Sequence, residues 1–138
     1  MAERTDPKSG PGPGRATLGR RERVLKPAEF RAIFAARARA SDGHLVVYAR
    51  PNGRGVTRLG LSVGRRCGGA VVRTRIRRLL REAFRRARAS LPRGYDIVIV
   101  PIAGPYTFED VDRRVRALAP EAIGRAERAA GRAGEAGR

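Results

Sequence analysis

Apolar residues recur at helical spacing in three segments of this chain, and each segment predicts an amphipathic helix. The first covers about 27–39 and opens with Pro27, which suits the first turn of a helix. The second begins near Val72 and should end near Leu91-Pro92, and the third starts with an N-cap pattern at Thr107 and should stop at Pro120. In the second helix, one arc collects the apolar side chains: Val72, Ile76, Leu79, Leu80, Ala83, Phe84 and Ala87.

Three other segments have the patterns of β-strands. Residues 45–50 and 57–63 alternate between apolar and polar positions, and turn-forming residues at 51–55 separate them. Residues 95–103 form a continuous apolar run, which is typical of a strand buried on both faces. A long helix lies between the second and third strands. The order helix–strand–strand–helix–strand–helix therefore predicts an α+β fold, a two-layer α/β sandwich with a small mixed sheet.

The composition changes at both ends of the chain. Residues 1–18 include the Pro/Gly-rich sequence PKSGPGPG, which has nothing to bury, so we expect a disordered basic tail. Residues 121–138 are small, polar and interrupted by glycines, and we expect a flexible tail. The folded domain should cover about 19–120. Cys67 is the one cysteine, and neither a long apolar span nor a signal-peptide core is present, so the cytoplasm is the expected location.

The charge of the chain indicates a polyanionic partner. The chain has 31 lysines and arginines and 13 acids, which gives a net charge of +18. Such a charge repels itself within a compact monomer and attracts polyanions strongly. Nucleic acid is the first candidate partner, and an anionic membrane surface is the second.

The second predicted helix concentrates this charge. Its sequence RTRIRRLLREAFRRAR, residues 73–88, contains eight arginines and one acid, Glu82. A solvated charged face normally mixes signs and pairs them at i,i+4 spacing, whereas this one is almost purely cationic. We therefore interpret it as a docking surface for nucleic acid, which Arg65 and Arg66 extend.

Aromatic and small residues indicate a second candidate contact. Phe30 and Phe34 lie one turn apart in the first helix, and Tyr48 lies on the strand face opposite Leu45 and Val47. The polar face of the next strand carries small residues: Gly60, Ser62 and Gly64. Two interpretations stay open. The aromatic side chains either pack in the core or line a cleft in which bases of single-stranded RNA stack.

The sequence offers no self-sufficient catalytic site. With His44 as the only histidine and Cys67 as the only cysteine, no cysteine–histidine zinc site can form. Glu109, Asp110 and Asp112 crowd the start of the last helix, where capping explains them better than a metal site does. If the chain takes part in an enzyme, another molecule should supply the chemistry. A ribosomal-type RNA-binding protein is an alternative, and a nuclease active by itself is disfavoured.

Residues 58–84, RLGLSVGRRCGGAVVRTRIRRLLREAF, closely resemble the signature of the bacterial ribonuclease P protein component. In that family, a GLSVSKK-x-G-x-AV-x-RNR-x-KR run joins a strand to an arginine-rich helix. EFRAIF resembles the family's first helix, HLVVYAR its first strand and YDIVIVPIA its last strand, so the resemblance covers about residues 20–118. It implies an α/β sandwich with a left-handed βαβ crossover.

The resemblance also implies a function. The chain would be the protein subunit of an endoribonuclease. The RNA subunit of that enzyme would be the catalyst, and the Mg²⁺ would be held mainly by this RNA. It would bind that RNA and precursor tRNA and promote removal of the 5′ leader, with no membrane or protein partner implied. The implied contacts with the RNA subunit are Arg73, Thr74, Arg75, Arg77, Arg78 and Arg81. The implied contacts with the leader are Phe30, Phe34, Tyr48, Ser62, Arg65 and Arg66. The family's usual asparagine is replaced by Thr74, which offers fewer hydrogen-bond donors.

Overall fold

The computed structural model describes the backbone of residues 26–136 and the side chains of residues 26–131. The tail predicted at residues 1–18 lies outside the described residues. Within the described part, the chain forms these elements in order: α1 (Pro27–Ala36), β1 (Arg39–Ser41), β2 (Leu45–Pro51), β3 (Arg58–Leu61), α2 (Ala70–Ala87), β4 (Tyr95–Pro101) and α3 (Phe108–Ala136). Two short 3₁₀ turns flank α2: Arg65–Cys67 and Arg88–Ser90.

The four strands form one mixed sheet in the order β1-β2-β4-β3. β2 pairs antiparallel with both β1 and β4, whereas β3 pairs parallel with β4. A hairpin cannot join two parallel neighbours, so α2 makes the connection from β3 to β4. The predicted α+β fold with a mixed sheet is confirmed.

The two faces of the sheet are covered by different helices, because successive side chains of a strand point to opposite faces. One face packs under α2 and α3, and there Leu45, Val47 and Ala49 of β2 meet Ile97 and Ile99 of β4. The opposite face carries a smaller apolar cluster under α1: Ile33, Val98 and the half-buried Phe30, Phe34, Tyr48 and Val100.

The apolar arc predicted for α2 is confirmed over most of its length. Leu79 is half-buried against the core, and five other members are fully buried: Ile76, Leu80, Ala83, Phe84 and Ala87. The prediction is wrong for Val72, which is 43% exposed. Val72 lies in the first turn of α2 and packs on the loop before it, since a Cβ atom built on Gly68 would lie 2.9 Å from the Val72 side chain.

The first helix ends three residues earlier than predicted. Its last residue is Ala36, and Arg37 then adopts a left-handed φ of 64°. The chain turns into β1, where Ala40 is buried and pairs with Val47 of β2. A strand of three residues has no periodic pattern of its own, so its pairing with a partner strand decides that it forms.

The last helix continues well past its predicted end. Pro120 lies inside α3, and the chain stays helical up to Ala136, so the flexible tail predicted for 121–138 is wrong there. A proline inside a helix removes one backbone hydrogen bond and costs about 3 kcal/mol. Apolar burial beyond the proline offsets this cost, and it involves Ala122, Ile123 and Ala126. Although α3 is long, no helix among the described residues is apolar enough to cross a membrane.

Candidate nucleic-acid interface

α2 presents its arginine side chains on the side away from its buried arc. Of the six positions implied to contact an RNA subunit, two are half-buried, Arg73 and Arg77. The other four are exposed: Thr74, Arg75, Arg78 and Arg81. The Nε atom of Arg73 donates a hydrogen bond to the carbonyl oxygen of Gly68 at 3.2 Å, which ties this side chain to the start of the helix. Because the apolar side of α2 is buried in the core, the backbone positions from which these side chains extend are fixed.

The exposed surface of α3 shows compensated charge, which contrasts with α2. Three of its arginines pair with acids three or four residues earlier: Arg113 with Asp110 at 2.7 Å, Arg116 with Asp112 at 3.0 Å and Arg125 with Glu121 at 2.6 Å. The hydrogen bond from Arg113, followed by that from Thr107, lowers the pKa of Asp110. Such i,i+3 and i,i+4 pairs neutralise cations within the helix itself.

The arginine face of α2 lacks this compensation; we define it as Arg73, Arg75, Arg77 and Arg78. In the part of the chain that the structure describes, none of these four guanidinium groups has a carboxylate within ion-pair distance. Glu82 is engaged by Arg85 and Arg86, and its hydrogen bond from Arg85 lowers the pKa of the Glu82 carboxyl. Four like charges within two turns repel one another, and a bound polyanion would relieve that repulsion.

An exposed apolar side chain lies beside the arginine face. Val71 is 84% exposed, compared with 43% for its neighbour Val72. It lines a shallow depression of about 390 Å³ together with Ala70, Thr74, Arg75 and Arg78. A base or a ribose can cover Val71 while the neighbouring guanidinium groups reach phosphates. The apolar arc expected from the sequence includes Val72 and leaves Val71 out, so helical periodicity already places Val71 on the side away from the core.

The aromatic residues of the predicted cleft meet on the face of the sheet under α1. Phe34 packs edge-on against Tyr48 with ring centroids 4.9 Å apart, and Phe30 lies 6.4 Å from Phe34. All three rest on the cluster that contains Ile33 and Val98. They are nevertheless only half-buried, so each ring packs on one side and meets solvent on the other. Part of each ring surface therefore packs in the core. Stacking of RNA bases on the exposed part of each ring stays a prediction.

Strand register places Ser62 on the same face as Tyr48. Tyr48 and Gly60 are both paired with Val98, so the three residues lie side by side across the sheet. Ser62 follows two residues after Gly60, is half-buried, and its backbone N–H donates to the Ile99 carbonyl at 3.1 Å. Gly60 is buried, so the bare surface expected at that position is not present. Two exposed arginines follow on the 3₁₀ turn: Arg65 and Arg66.

A buried ion-pair network joins α1 to the sheet beside this cluster, and the sequence did not predict it. Arg58 of β3 donates two hydrogen bonds to Asp96 of β4, at 2.8 and 2.7 Å, and lies 3.0 Å from the carboxylate of Glu29 in α1. Asn52 donates a further hydrogen bond to Asp96 at 2.8 Å. The hydrogen bonds to Asp96 are the main cause that raises the pKa of Arg58. An acid inside the apolar run YDIVIVP was the one sequence signal for this network.

The other polar residues weighed in the sequence have structural partners. The Nδ1 atom of His44 lies 3.0 Å from the Gly104 carbonyl oxygen. The Sγ atom of Cys67 lies 3.9 Å from the hydroxyl of Tyr106, and burial raises the pKa of Tyr106 to about 12. Among the described residues, no three His, Cys, Asp or Glu side chains cluster in a way that could hold a metal ion.

Known proteins with similar sequences share one name. The family model described as Ribonuclease P matches residues 18–122. A ribonuclease P protein component of Clostridioides difficile is 31% identical over 104 residues, which are 73% of this chain and 91% of that protein. A ribonuclease P protein component of Caldanaerobacter subterraneus is 38% identical over 78 residues, covering 56% of this chain and 67% of that protein.

Solved structures of similar proteins share the fold. The RNase P protein of Thermotoga maritima superposes with a TM-score of 0.62 at 32% identity, covering 68% of this chain and 91% of its own. The RNase P protein of Staphylococcus aureus superposes with a TM-score of 0.64 at 27% identity, covering 71% and 92%. Because family match, sequence identity and fold agree, the chain belongs to the family of ribonuclease P protein components, RNA-binding proteins of tRNA processing.

Proposed function

We propose that this chain is the protein subunit of a ribonuclease P, an endoribonuclease that hydrolyses a phosphodiester bond to remove the 5′ leader of precursor tRNA. The contacts with the catalytic RNA subunit are Arg73, Thr74, Arg75, Arg77, Arg78 and Arg81. The contacts with the leader are Phe30, Phe34, Tyr48, Ser62, Arg65 and Arg66. One observation carries the proposal: among the described residues, the arginine face lacks carboxylate partners of the kind that α3 supplies to three of its own arginines.

The side chains of the arginine face suit a phosphate backbone. A guanidinium group donates two parallel hydrogen bonds to one phosphate and stays charged at every physiological pH. α2 holds these groups in register because its apolar side is buried. Thr74 adds one hydroxyl where the family resemblance expects an asparagine amide, so it can donate a single hydrogen bond to a phosphate or a ribose.

The aromatic cluster suits a single-stranded leader. Ring surface left exposed on Tyr48 and Phe34 can stack on unpaired bases, each contact contributing about 1–3 kcal/mol. Stacking accepts every base, so it serves leaders of different sequence. Arg65 and Arg66 would hold the phosphates of the same strand.

In this proposal, the RNA subunit supplies the catalytic chemistry. The Mg²⁺ that the family resemblance implies does not fit the described residues of the protein, since they contain no cluster of potential ligands. The ion would be held by RNA. The arginines would lower the repulsion between phosphates of the two RNAs, which reduces the magnesium needed to bring them together. We also propose the cytoplasm as the place of this reaction.

A reconstitution tests the proposal. The protein is mixed with a transcribed bacterial ribonuclease P RNA at low magnesium, and 5′ cleavage of a precursor tRNA is followed. We expect cleavage only when both components are present. Cleavage that the protein leaves unchanged would favour a ribosomal-type RNA-binding protein, and cleavage by the protein alone would indicate a nuclease.

Tyr48→Ala should weaken precursor tRNA binding by the reconstituted enzyme roughly 5- to 150-fold, the loss of one stacking contact of about 1–3 kcal/mol. Binding of mature tRNA, which has no leader, should not change. The measurement is a pair of titrations that give the dissociation constants of the two tRNAs.

The control for this prediction is Tyr48→Phe, which keeps the ring and its edge-on contact with Phe34 at 4.9 Å. We expect this variant to bind both tRNAs as the unaltered protein does. Thermal unfolding of both variants separates a binding effect from a loss of structure. An equal loss of precursor and mature tRNA binding in Tyr48→Ala would contradict the cleft assignment.

Val71→Ala should weaken binding of the RNA subunit about 5- to 10-fold, because it removes two methyl groups that the RNA would cover. The free protein should not lose stability, because Val71 is 84% exposed and alanine favours a helix more than valine does. The slope of log affinity against log salt should stay unchanged, since an apolar contact releases no counterions. A lowered slope, or unaltered affinity, would contradict an apolar contact at Val71.

A further inference from the structure

A groove at the C-terminal end of α2 takes no part in the contacts proposed above. It has a volume of about 430 Å³ and lies between the turn that joins β2 to β3 and the segment that links α2 to β4. Its lining residues include no acid: Gly55, Val56, Thr57, Arg88, Ala89, Leu91 and Arg93. Val56 and Leu91 supply apolar surface, and the two arginines supply charge.

Hydrogen bonds between its walls hold the groove in shape. The Thr57 hydroxyl donates to the Pro92 carbonyl at 2.8 Å and accepts from the Tyr95 backbone N–H at 3.2 Å. The Asn52 backbone N–H donates to the Gly94 carbonyl at 2.8 Å. A ligand would therefore meet a largely preformed site, which lowers the entropic cost of binding.

The charge at this end of the molecule is cationic. Arg93 is exposed and Arg88 is half-buried. Arg54, also exposed, lies on the adjoining turn, where its carbonyl oxygen would be 3.2 Å from a Cβ atom built on Gly94. Neither Arg54 nor Arg93 forms an ion pair within the described ranges of the chain. An anion is the ligand that such a groove would attract.

The groove continues the arginine-bearing side of α2. At 100° per residue, Arg77, Arg81 and Arg88 fall within about 40° of one another around the helix axis. At 1.5 Å per residue, Arg88 lies about 22 Å along the axis from Arg73. A polyanion bound along α2 from the arginine face would therefore reach the groove without leaving this side of the protein.

We infer that this groove is a second contact site for the RNA subunit and takes one nucleotide of an unpaired segment. The base packs on Val56 and Leu91, and its flanking phosphates meet Arg88 and Arg93. The inference rests on the proposed function. The RNA subunit fits better than precursor tRNA, because α2 and the aromatic cluster lie on opposite faces of the sheet.

Arg93→Ala tests the phosphate contact by titration with a transcribed bacterial ribonuclease P RNA at several salt concentrations. We expect affinity to fall about fivefold and the slope of log affinity against log salt to decrease by about 1. Arg113→Ala is the matched control, because it removes the same charge from an exposed position of α3 that does not line the groove. Equal effects in both variants, or no effect of Arg93→Ala, would overturn the inference.

A photo-crosslink locates the RNA independently. Ala89→Cys in a Cys67→Ser background carries a photoreactive group at the exposed rim of the groove, and Ala117→Cys carries it on α3 as a control. We expect crosslinks to the RNA subunit from position 89 and not from position 117. Crosslinks to precursor tRNA alone, or none, would overturn the inference. If Arg75→Ala with Arg78→Ala lowers the slope of log affinity against log salt by about 2 in that case, the proposed function stands and only the groove assignment fails.

Discussion

The affinity of this protein for a bacterial ribonuclease P RNA should fall by about 10³- to 10⁵-fold between 50 and 200 mM monovalent salt, as expected for roughly 6–10 phosphate contacts. Each guanidinium group that binds a phosphate releases a condensed counterion, which favours binding. Added salt reduces this favourable contribution to the affinity. The net charge of +18 and the unpaired cations of the arginine face are the physical basis. Fluorescence titrations at four or more salt concentrations would measure the slope.

A pair of double variants assigns the salt dependence to α2. Arg75→Ala with Arg78→Ala should lower the slope by about 2, because both side chains are exposed and free of ion pairs in the described part of the protein. Arg113→Ala with Arg116→Ala removes the same charge from α3, where both arginines are paired with acids, and should leave the slope unchanged. Equal slopes in the two double variants, or a nearly flat response of the unaltered protein, would contradict docking through the arginine face.

Arg58→Ala should destabilise the free protein by about 3–5 kcal/mol, because it leaves a buried carboxylate without its ionic partner. Asp96 is 3% exposed and accepts hydrogen bonds at 2.8 and 2.7 Å from Arg58. Only the hydrogen bond from Asn52 would remain to it among the contacts described above. Thermal unfolding should show Tm lowered by more than about 10 °C.

A double variant without either charge separates the ion pair from its surroundings. Arg58→Met with Asp96→Leu removes both charges while keeping apolar volume, so it should recover much of the stability lost in Arg58→Ala. Arg113→Ala breaks an exposed pair instead, so its effect on stability should be small. If Arg58→Ala costs no more than this exposed control, the network does not hold α1 on the sheet. Because the pair is buried, its effect on stability should change little with salt, unlike RNA binding.

The elements that the sequence predicted well are those with one buried and one exposed side. The apolar arc of α2 and the alternation of β2 are set by residues close together in the chain, and burial of Phe84 and Val47 follows from that order. The predictions that were wrong depended on distant partners. Pro120 stays inside α3 because Ile123 beyond it is buried, and β1 exists because it pairs with β2.

The candidate site divides in the same way. The composition of the arginine face is a property of one helix, and the sequence predicted its exposure from the periodicity of the apolar arc. Arg58 pairs with Asp96, which lies 38 residues later in the chain, and with Glu29 of α1. No local sequence pattern encodes these contacts. The groove beside Arg93 depends in the same way on how α2 lies against its neighbours.

The sequence by itself determined the strong positive charge of this protein, its amphipathic crossover helix and the signature that links it to its family, because all three are properties of neighbouring residues. Only the tertiary structure decided that Arg58 meets two carboxylates, how much of Phe34 and Tyr48 stays exposed, and where chain segments enclose a groove. These features depend on distances between residues far apart in the chain. Such distances are set when the helices pack on the sheet.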